Sequence, residues 1–291
     1  MSDTAESLRH KIASAGELNS VARTMKALSA ASIGQYETAV RALNDYYRTV
    51  QLGLVASFRQ AGRPIITNGE RAQGGKINAV VFGSDQGLVG QFNDILVDYA
   101  AKELGKLPGE KNIWAIGERI HARLSDEGLK PKGLFNVPLS VNSITPLIGQ
   151  ILIDTSAHHE DELSRFLLFY NSPKSGAVYQ PVMHNLLPQE EAWQQTSSNL
   201  CWPGNNLPQV IGPDEFMLRT LVREYVFVSL FRACAESLAS ENASRLAAMQ
   251  RAEKNIKELL DNLKGAFQRL RQSSIDEELF DVISGYEVLT K

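Results

Sequence analysis

Apolar residues recur at alternating three- and four-residue steps along both ends of the chain. Toward the C-terminus the stripe runs Leu218, Leu221, Tyr225, Val228, Phe231, Ala235, Leu238. It resumes after Asn242 through Leu246, Met249, Ile256, Leu260, Leu263, Phe267 and Leu270. No proline follows Pro213. A period near 3.5 keeps such a stripe on one side of a helix, where it calls for a partner helix. The spacing predicts one uninterrupted helix over 213–291, longer than ordinary globular helices. The first sixty residues carry a second stripe of similar period: Leu8, Ile12, Ala15, Leu18, Val21, Met25 and Leu28. Gly16, Gly34 and Gly53 weaken this helix, each by about 1 kcal/mol relative to alanine. Ala27, Ser29, Ala30, Ala31 and Ser32 offer small side chains for close helix packing.

Between these helices the period changes. NGERAQGG reads as a connector. INAVVFG at 77–83 is a short β-branched apolar run, the mark of a buried strand. Asn93–Leu104 reads as helix, NIWAIG at 112–117 as strand, Glu118–Glu127 as helix and LIGQILIDTSA at 147–157 as helix. RFLLFYNS and VYQPVMHNLLP read as two more strands, and 188–213 as a returning loop. Strands alternating with helices predict an α/β sheet. The expected fold is therefore mixed α+β and α/β. A long antiparallel coiled coil of the N-terminal (1–62) and C-terminal (213–291) helices would flank a central α/β, Rossmann-like domain (75–190). The C-terminal helix is longer by roughly 15 residues. Its last turns carry Ile275, Leu279, Val282 or Ile283, Tyr286 and Leu289 with no intramolecular partner left for them. An unpaired apolar stripe on a helix end marks an interaction site. The competing expectation is that this tip folds back on its own chain.

Composition narrows the function classes. The net charge of −3 over 291 residues gives no basic field for nucleic acid. Cys201 and Cys234 lack metal-ligand spacing and form no disulfide scaffold, which suits a reducing compartment. No run of eighteen apolar residues is present to span a bilayer, and the acidic start MSDTAESLRHKI reads as neither secretory signal nor transit peptide. The expected location is a bacterial cytoplasm or the cytoplasmic face of its membrane.

Candidate chemistry is sparse. SDQGLVG at 84–90 could cradle a phosphate between strand and helix. Gly87 and Gly90 lack the P-loop lysine and the dinucleotide spacing, so a tight strand-to-helix turn is the better reading. His158, His159, Glu160, Asp161 and Glu162 invite a metal, but adjacent residues on a regular helix cannot converge on one ion. A solvated loop accounts for them. No Ser-His-Asp, Cys-His or paired-carboxylate arrangement stands out. The expectation is no catalytic, cofactor or metal residue.

Several longer strings resemble one family. ESLASENASRLAAMQRAEKNI resembles the signature of the F-type ATP synthase gamma subunit, with Ser240, Glu241, Arg245, Ala248 and Met249 in its pattern. RLRQSSIDEELFDVISGYEVL is similar to that family's closing run through Arg271, Gln272, Ile275, Glu278, Leu279, Ile283, Ser284 and Gly285. LRHKIASAGELNSVARTMKALSAAS resembles its opening helix through Arg9, Ile12, Ser14, Asn19, Met25 and Ser29. SDQGLVGQFN resembles the motif after its first strand. The resemblance covers the chain in order. It implies a non-catalytic rotor stalk of a proton- or sodium-transporting ATPase. Such a stalk stands inside three alpha and three beta subunits, with its foot on a c-ring together with epsilon. It would be present once per complex, peripheral to the cytoplasmic side of a bacterial membrane, without a cofactor. It implies partner contacts at Met25, Arg245, Arg271 and Gln272, to which the unpaired stripe adds Ile275, Leu279 and Ile283. For Met25 a place in the helix core is an equal alternative, and for Arg271 the alternative is a solvated helix face.

The sequence departs from the family at Ser32, Gln86, Val89, Asp276, Tyr286, Glu287 and Val288, and 179–213 matches poorly. These departures suggest a divergent member, of the kind a second ATPase operon would carry. Two other functions fit the pattern less well: a small α/β nucleotide-binding enzyme with a helical dimerisation arm, and a homodimeric coiled-coil scaffold.

Overall fold

The structure, a computed structural model, describes residues 4–61, 76–156, 165–174, 178–187, 202, 204, 206, 208–209 and 214–289. The connector at 62–75, the histidine-acid run at 158–162 and most of the returning loop lie outside the described residues. Both long helices form: α1 (Ala5–Ala61, 57 residues) and α5 (Asp214–Leu289, 76 residues). Thr4 Oγ1 accepts the backbone N–H of Ser7 at 3.3 Å, which satisfies one of the free donors at the start of α1. The chain divides into two compact units, residues 1–29 with 245–291, and residues 30–244.

In the first unit the two helices run antiparallel. Arg23 Nε and Lys26 Nζ donate to the carboxylate of Glu253 at 3.1 and 2.5 Å, and the Arg9 guanidinium lies 5.3 Å from the centre of the Phe267 ring. As residue numbers rise on α1 they fall on α5. The seam on α5 follows the expected heptads: Met249 is buried, and Ile256, Leu260, Leu263, Phe267 and Leu270 are half-buried. The seam on α1 meets expectation at Leu8 and Ala15 and departs from it further along. Its most buried positions fall at Leu8, Ala15, Ala22 and Ser29, seven residues apart. Leu18, Val21 and Leu28, expected on the stripe, are 55–64 % exposed. The physical reason is size. Two paired helices bury only a narrow strip, and alanine and serine at the closest positions let the backbones approach, leaving the larger leucines on the flank.

The second unit holds a five-stranded sheet in the order β3-β2-β1-β4-β5: β1 (Ile77–Phe82), β2 (Lys111–Ile116), β3 (Gly133–Phe135), β4 (Arg165–Pro173) and β5 (Tyr179–Leu187). The first four run parallel and β5 is antiparallel to β4. Strand β3 is three residues long and leaves no periodic signal. Alternate residues face two layers. Ile77, Ala79 and Val81 pack under α2 (Phe92–Gly105) and α3 (Glu118–Asp126). Val80 and Phe82 pack on the other face with α4 (Ile144–Ser156) and the α1 and α5 segments of this unit. Because both faces are covered, the strands read as continuous apolar runs rather than alternations. Gly83 closes the fit of α3 to the sheet, since a Cβ there would sit 2.2 Å from Ile120 Cβ. Gly117, at φ +113°, begins α3 and passes against the Ser84 backbone.

Candidate functional site

In an open parallel sheet the natural ligand crevice lies outside the carboxyl ends of the strands, where the strand order reverses. Here the chain winds from β1 to β2 and β3, then crosses back to β4 on the other side of β1, so the reversal falls between β1 and β4. Helix α5 is bonded to both sides of that crevice. Ser237 Oγ donates to Phe82 O at the end of β1 at 3.2 Å, Ser244 Oγ donates to Val89 O in the following loop at 2.5 Å, and Ser172 Oγ near the end of β4 donates to Glu236 Oε2 at 2.8 Å.

The glycine-bearing loop between β1 and α2 is committed to its own fold. Asp85 accepts the N–H groups of Glu118 and Val137 at 3.0 and 2.9 Å, capping the start of α3. Asn93 Oδ1 accepts Ser84 N, and its Nδ2 donates to Ser84 Oγ. Asn171 Nδ2 donates to Phe92 O across the crevice. The segment is a strand-to-helix turn, as its spacing suggested, and it also mounts α5 and α3.

The segment of α5 over this crevice is buried all round, as a helix packed on several sides must be. Tyr225, Val228, Leu230, Ala235 and Ala239 are buried, and so are Glu236 and Glu241. Burial pushes the Cys234 thiol up, helped by Glu241, and leaves it unreactive. Tyr36 of α1 is raised by burial and by its neighbours Cys234 and Glu241. Among the described residues no group of three or more His, Cys, Asp and Glu side chains is placed to hold a metal ion.

The residues expected to meet partners are not gathered at one point. Met25 is half-buried on α1, and Arg245 is partly buried on α5. Arg271, Gln272, Ile275, Leu279 and Ile283 are exposed along the C-terminal end of α5. This run lies beyond the level at which Arg9 meets Phe267, and every described side chain from Arg271 to Ile283 is exposed. The end of α5 therefore carries its apolar side chains without folding back: Ile275, Leu279, Phe280, Val282 and Ile283 are 46–70 % exposed.

Sequence reasoning missed the group around Glu236. Arg232 and Glu236 stand four apart on α5, a spacing that ordinarily means a solvated surface pair. Their setting between the sheet and α1 appears only in three dimensions.

In the sheet-bearing unit the crevice at the strand ends is occupied by helix α5. A family model described as ATP synthase matches residues 4–289, and the chain belongs to that family. Its relatives carry the name ATP synthase gamma chain. That of Geotalea uraniireducens (strain Rf4) is 28 % identical over 97 % of both chains. That of Polynucleobacter asymbioticus is 26 % identical over 98 % of this chain and 99 % of the relative. Among solved structures, a chain of the Euglena gracilis mitochondrial ATP synthase (OSCP/F1/c-ring) superposes with a TM-score of 0.70 at 15 % identity, covering 98 % of this chain and 94 % of that one. A chain of the Tetrahymena thermophila mitochondrial ATP synthase central stalk and c-ring gives 0.57 at 21 % identity, over 80 % of this chain and 99 % of that one. A gamma-type member of this family is a non-catalytic subunit of ATP synthase.

Proposed function

We propose that this chain turns as the central rotor stalk of a bacterial F-type ATP synthase. It would couple ion-driven rotation of a c-ring to the cycling of three catalytic beta sites. The observation that carries this reading is the stretch of α5 from Arg271 to Ile283, whose apolar stripe is exposed among the described residues. A ring of three alpha and three beta subunits would sheathe that end, while epsilon and the c-ring would bind the sheet-bearing unit. One asymmetric shaft inside a threefold ring touches each beta site differently. Rotation then becomes a coupling free energy between distant sites.

In this reading Met25, Arg245, Arg271, Gln272, Ile275, Leu279 and Ile283 meet the ring. Arginine and glutamine suit passing contacts because their long side chains hydrogen-bond loops, more strongly where the partner is charged. No helix among the described residues is long and apolar enough to cross a membrane. Attachment to the cytoplasmic side of the membrane would therefore be peripheral, through the complex.

The test replaces Leu260 and Leu263 together with aspartate, which places two charges in the α1–α5 seam. Complexes assembled with this variant should hydrolyse ATP while losing most ATP-driven ion movement. Full ion movement per ATP in the double variant would end the stalk reading. Trimming the chain after Gln272 should weaken binding to the alpha–beta ring while the sheet keeps its circular dichroism and thermal transition. The nucleotide-enzyme alternative instead predicts stoichiometric binding of ATP or NAD to the isolated chain, and the scaffold alternative predicts a homodimer formed through the tip.

A further inference from the structure

Helix α5 packs on the sheet-bearing unit through large and small side chains alike: Tyr225, Leu230 and Leu238 are buried in one cluster with Ala233, Ala235 and Ala239. Apolar burial is non-directional, so a directional bond between α5 and the sheet adds a sharper rotational setting to that packing.

The Glu236 carboxylate makes such a bond. Its side chain is only 7 % exposed. One oxygen accepts Arg232 Nε from the same helix at 2.7 Å, and the other accepts Ser172 Oγ of β4 at 2.8 Å. The Arg232 guanidinium in turn lies 5.6 Å from the centre of the Tyr47 ring on α1. Tyr170 of β4 and His184 of β5 feel both charges. Burial, then the nearby Arg232, lowers His184, so the imidazole stays neutral and adds no competing charge. One ion pair thus touches α5, the sheet and α1.

Geometry decides how sharply this pair registers rotation. An atom at a helix's outer radius of about 5–6 Å moves about 2 Å when the helix turns by about 20°. A hydrogen bond of 2.8 Å does not survive that displacement. Bonds to an ionised acceptor are roughly twice as strong as neutral ones, which sets Glu236 apart from the two serine contacts to Phe82 and Val89.

We infer that Glu236, held by Ser172 and by an Arg232 that itself lies over Tyr47, is a positioning residue that keys α5 to the sheet at one rotational setting, so that torque passes between them without slip. This rests on the stalk reading above.

The test uses the complete complex assembled with wild-type, Glu236→Ala, Glu236→Gln or Ser172→Ala chains, comparing ions moved per ATP hydrolysed well below the melting temperature. Glu236→Ala should lower that ratio about threefold while hydrolysis persists, because the charge-assisted bond is gone. Glu236→Gln should restore about half of the loss, since its amide oxygen still accepts from Ser172 but without the charge. Ser172→Ala, which deletes one hydroxyl and should leave assembly intact, should lower the ratio by about 1.5-fold. An unchanged ratio in assembled Glu236→Ala complexes would overturn the inference, as would equal impairment by Ala and Gln. If Glu236→Ala does not assemble, an unchanged ratio with Ser172→Ala overturns it. A wild-type chain that fails to couple hydrolysis to ion movement would instead remove the stalk reading itself.

Discussion

The same two helices are held in two different ways. In the sheet-bearing unit, α5 between Tyr225 and Ser244 is buried on nearly every side, with Val228, Leu230 and Ala235 fully shielded. In the two-helix unit, Leu260, Leu263 and Leu270 of the same helix are only half-buried, and the heptad positions of α1 opposite are Leu8, Ala15, Ala22 and Ser29. Fully burying a leucine contributes about 1.5–3 kcal/mol, so a half-buried seam stabilises much less per residue. The ion pairs of Glu253 with Arg23 and Lys26 are solvent-facing, and such pairs specify register more than they add stability. One unit is a core, and the other is a register-matched pair that leaves apolar surface for something else to cover.

The largest expected effect contrasts the two directly. Leu230→Ala should cost about 3 kcal/mol, and Leu263→Ala about 1 kcal/mol, in denaturant unfolding of the isolated chain. Equal losses would mean that the two units are held alike. Next comes alkaline pH. Burial pushes the Tyr170 hydroxyl up to about 12 from its ordinary 10.0, with Glu236 adding to the shift. Its folded state holds the proton more tightly than the unfolded one. The stability it contributes is therefore complete below pH 10 and is lost as pH rises toward about 12. Hydrogen exchange across that window should loosen β4 and the α5 segment over it, while Tyr170→Phe should remove the dependence. A pH-independent β4 would contradict the burial of that hydroxyl.

A smaller effect tests the seam. Asn19 is half-buried on α1, and its Oδ1 is buried without a hydrogen-bond partner among the described residues. Asn19→Leu should therefore raise the stability of the two-helix unit by about 1 kcal/mol. A loss would show that the amide is satisfied and sets the helix register. Smallest of all, Leu18→Gln should change the isolated chain by less than about 0.5 kcal/mol, because the side chain is on the surface. A drop of several kcal/mol in a thermal melt would place Leu18 back in the seam.

Much of the architecture was legible because periodicity reports burial. The heptads of Met249 to Leu270, the strand at Ile77–Phe82 and the unpartnered stripe at Ile275 and Leu279 all follow from where apolar residues recur. The α1 stripe was misread because Leu18, Val21 and Leu28 are as apolar as any core residue. Seam geometry kept Ala15 from that stripe and favoured Ala22 and Ser29 over the leucines, small residues whose value lies in close approach. Strand β3 escaped notice because three residues carry no period. Met25, Arg245, Arg271 and Gln272 came as partner-facing residues from family likeness, since such side chains on a helix carry no local sign of what they meet.

By itself the sequence determined two long helices of matched period, an α/β segment between them and a helix end left without cover, because side-chain spacing alone dictates which faces avoid water. Only the tertiary structure decided that α5 is bonded across the sheet's crevice, and that Arg232 and Glu236 become a partly buried joint, Glu236 to Ser172 and Arg232 to Tyr47. Those facts depend on which segments distant in sequence are brought together, and spacing along one element carries no information about its neighbours.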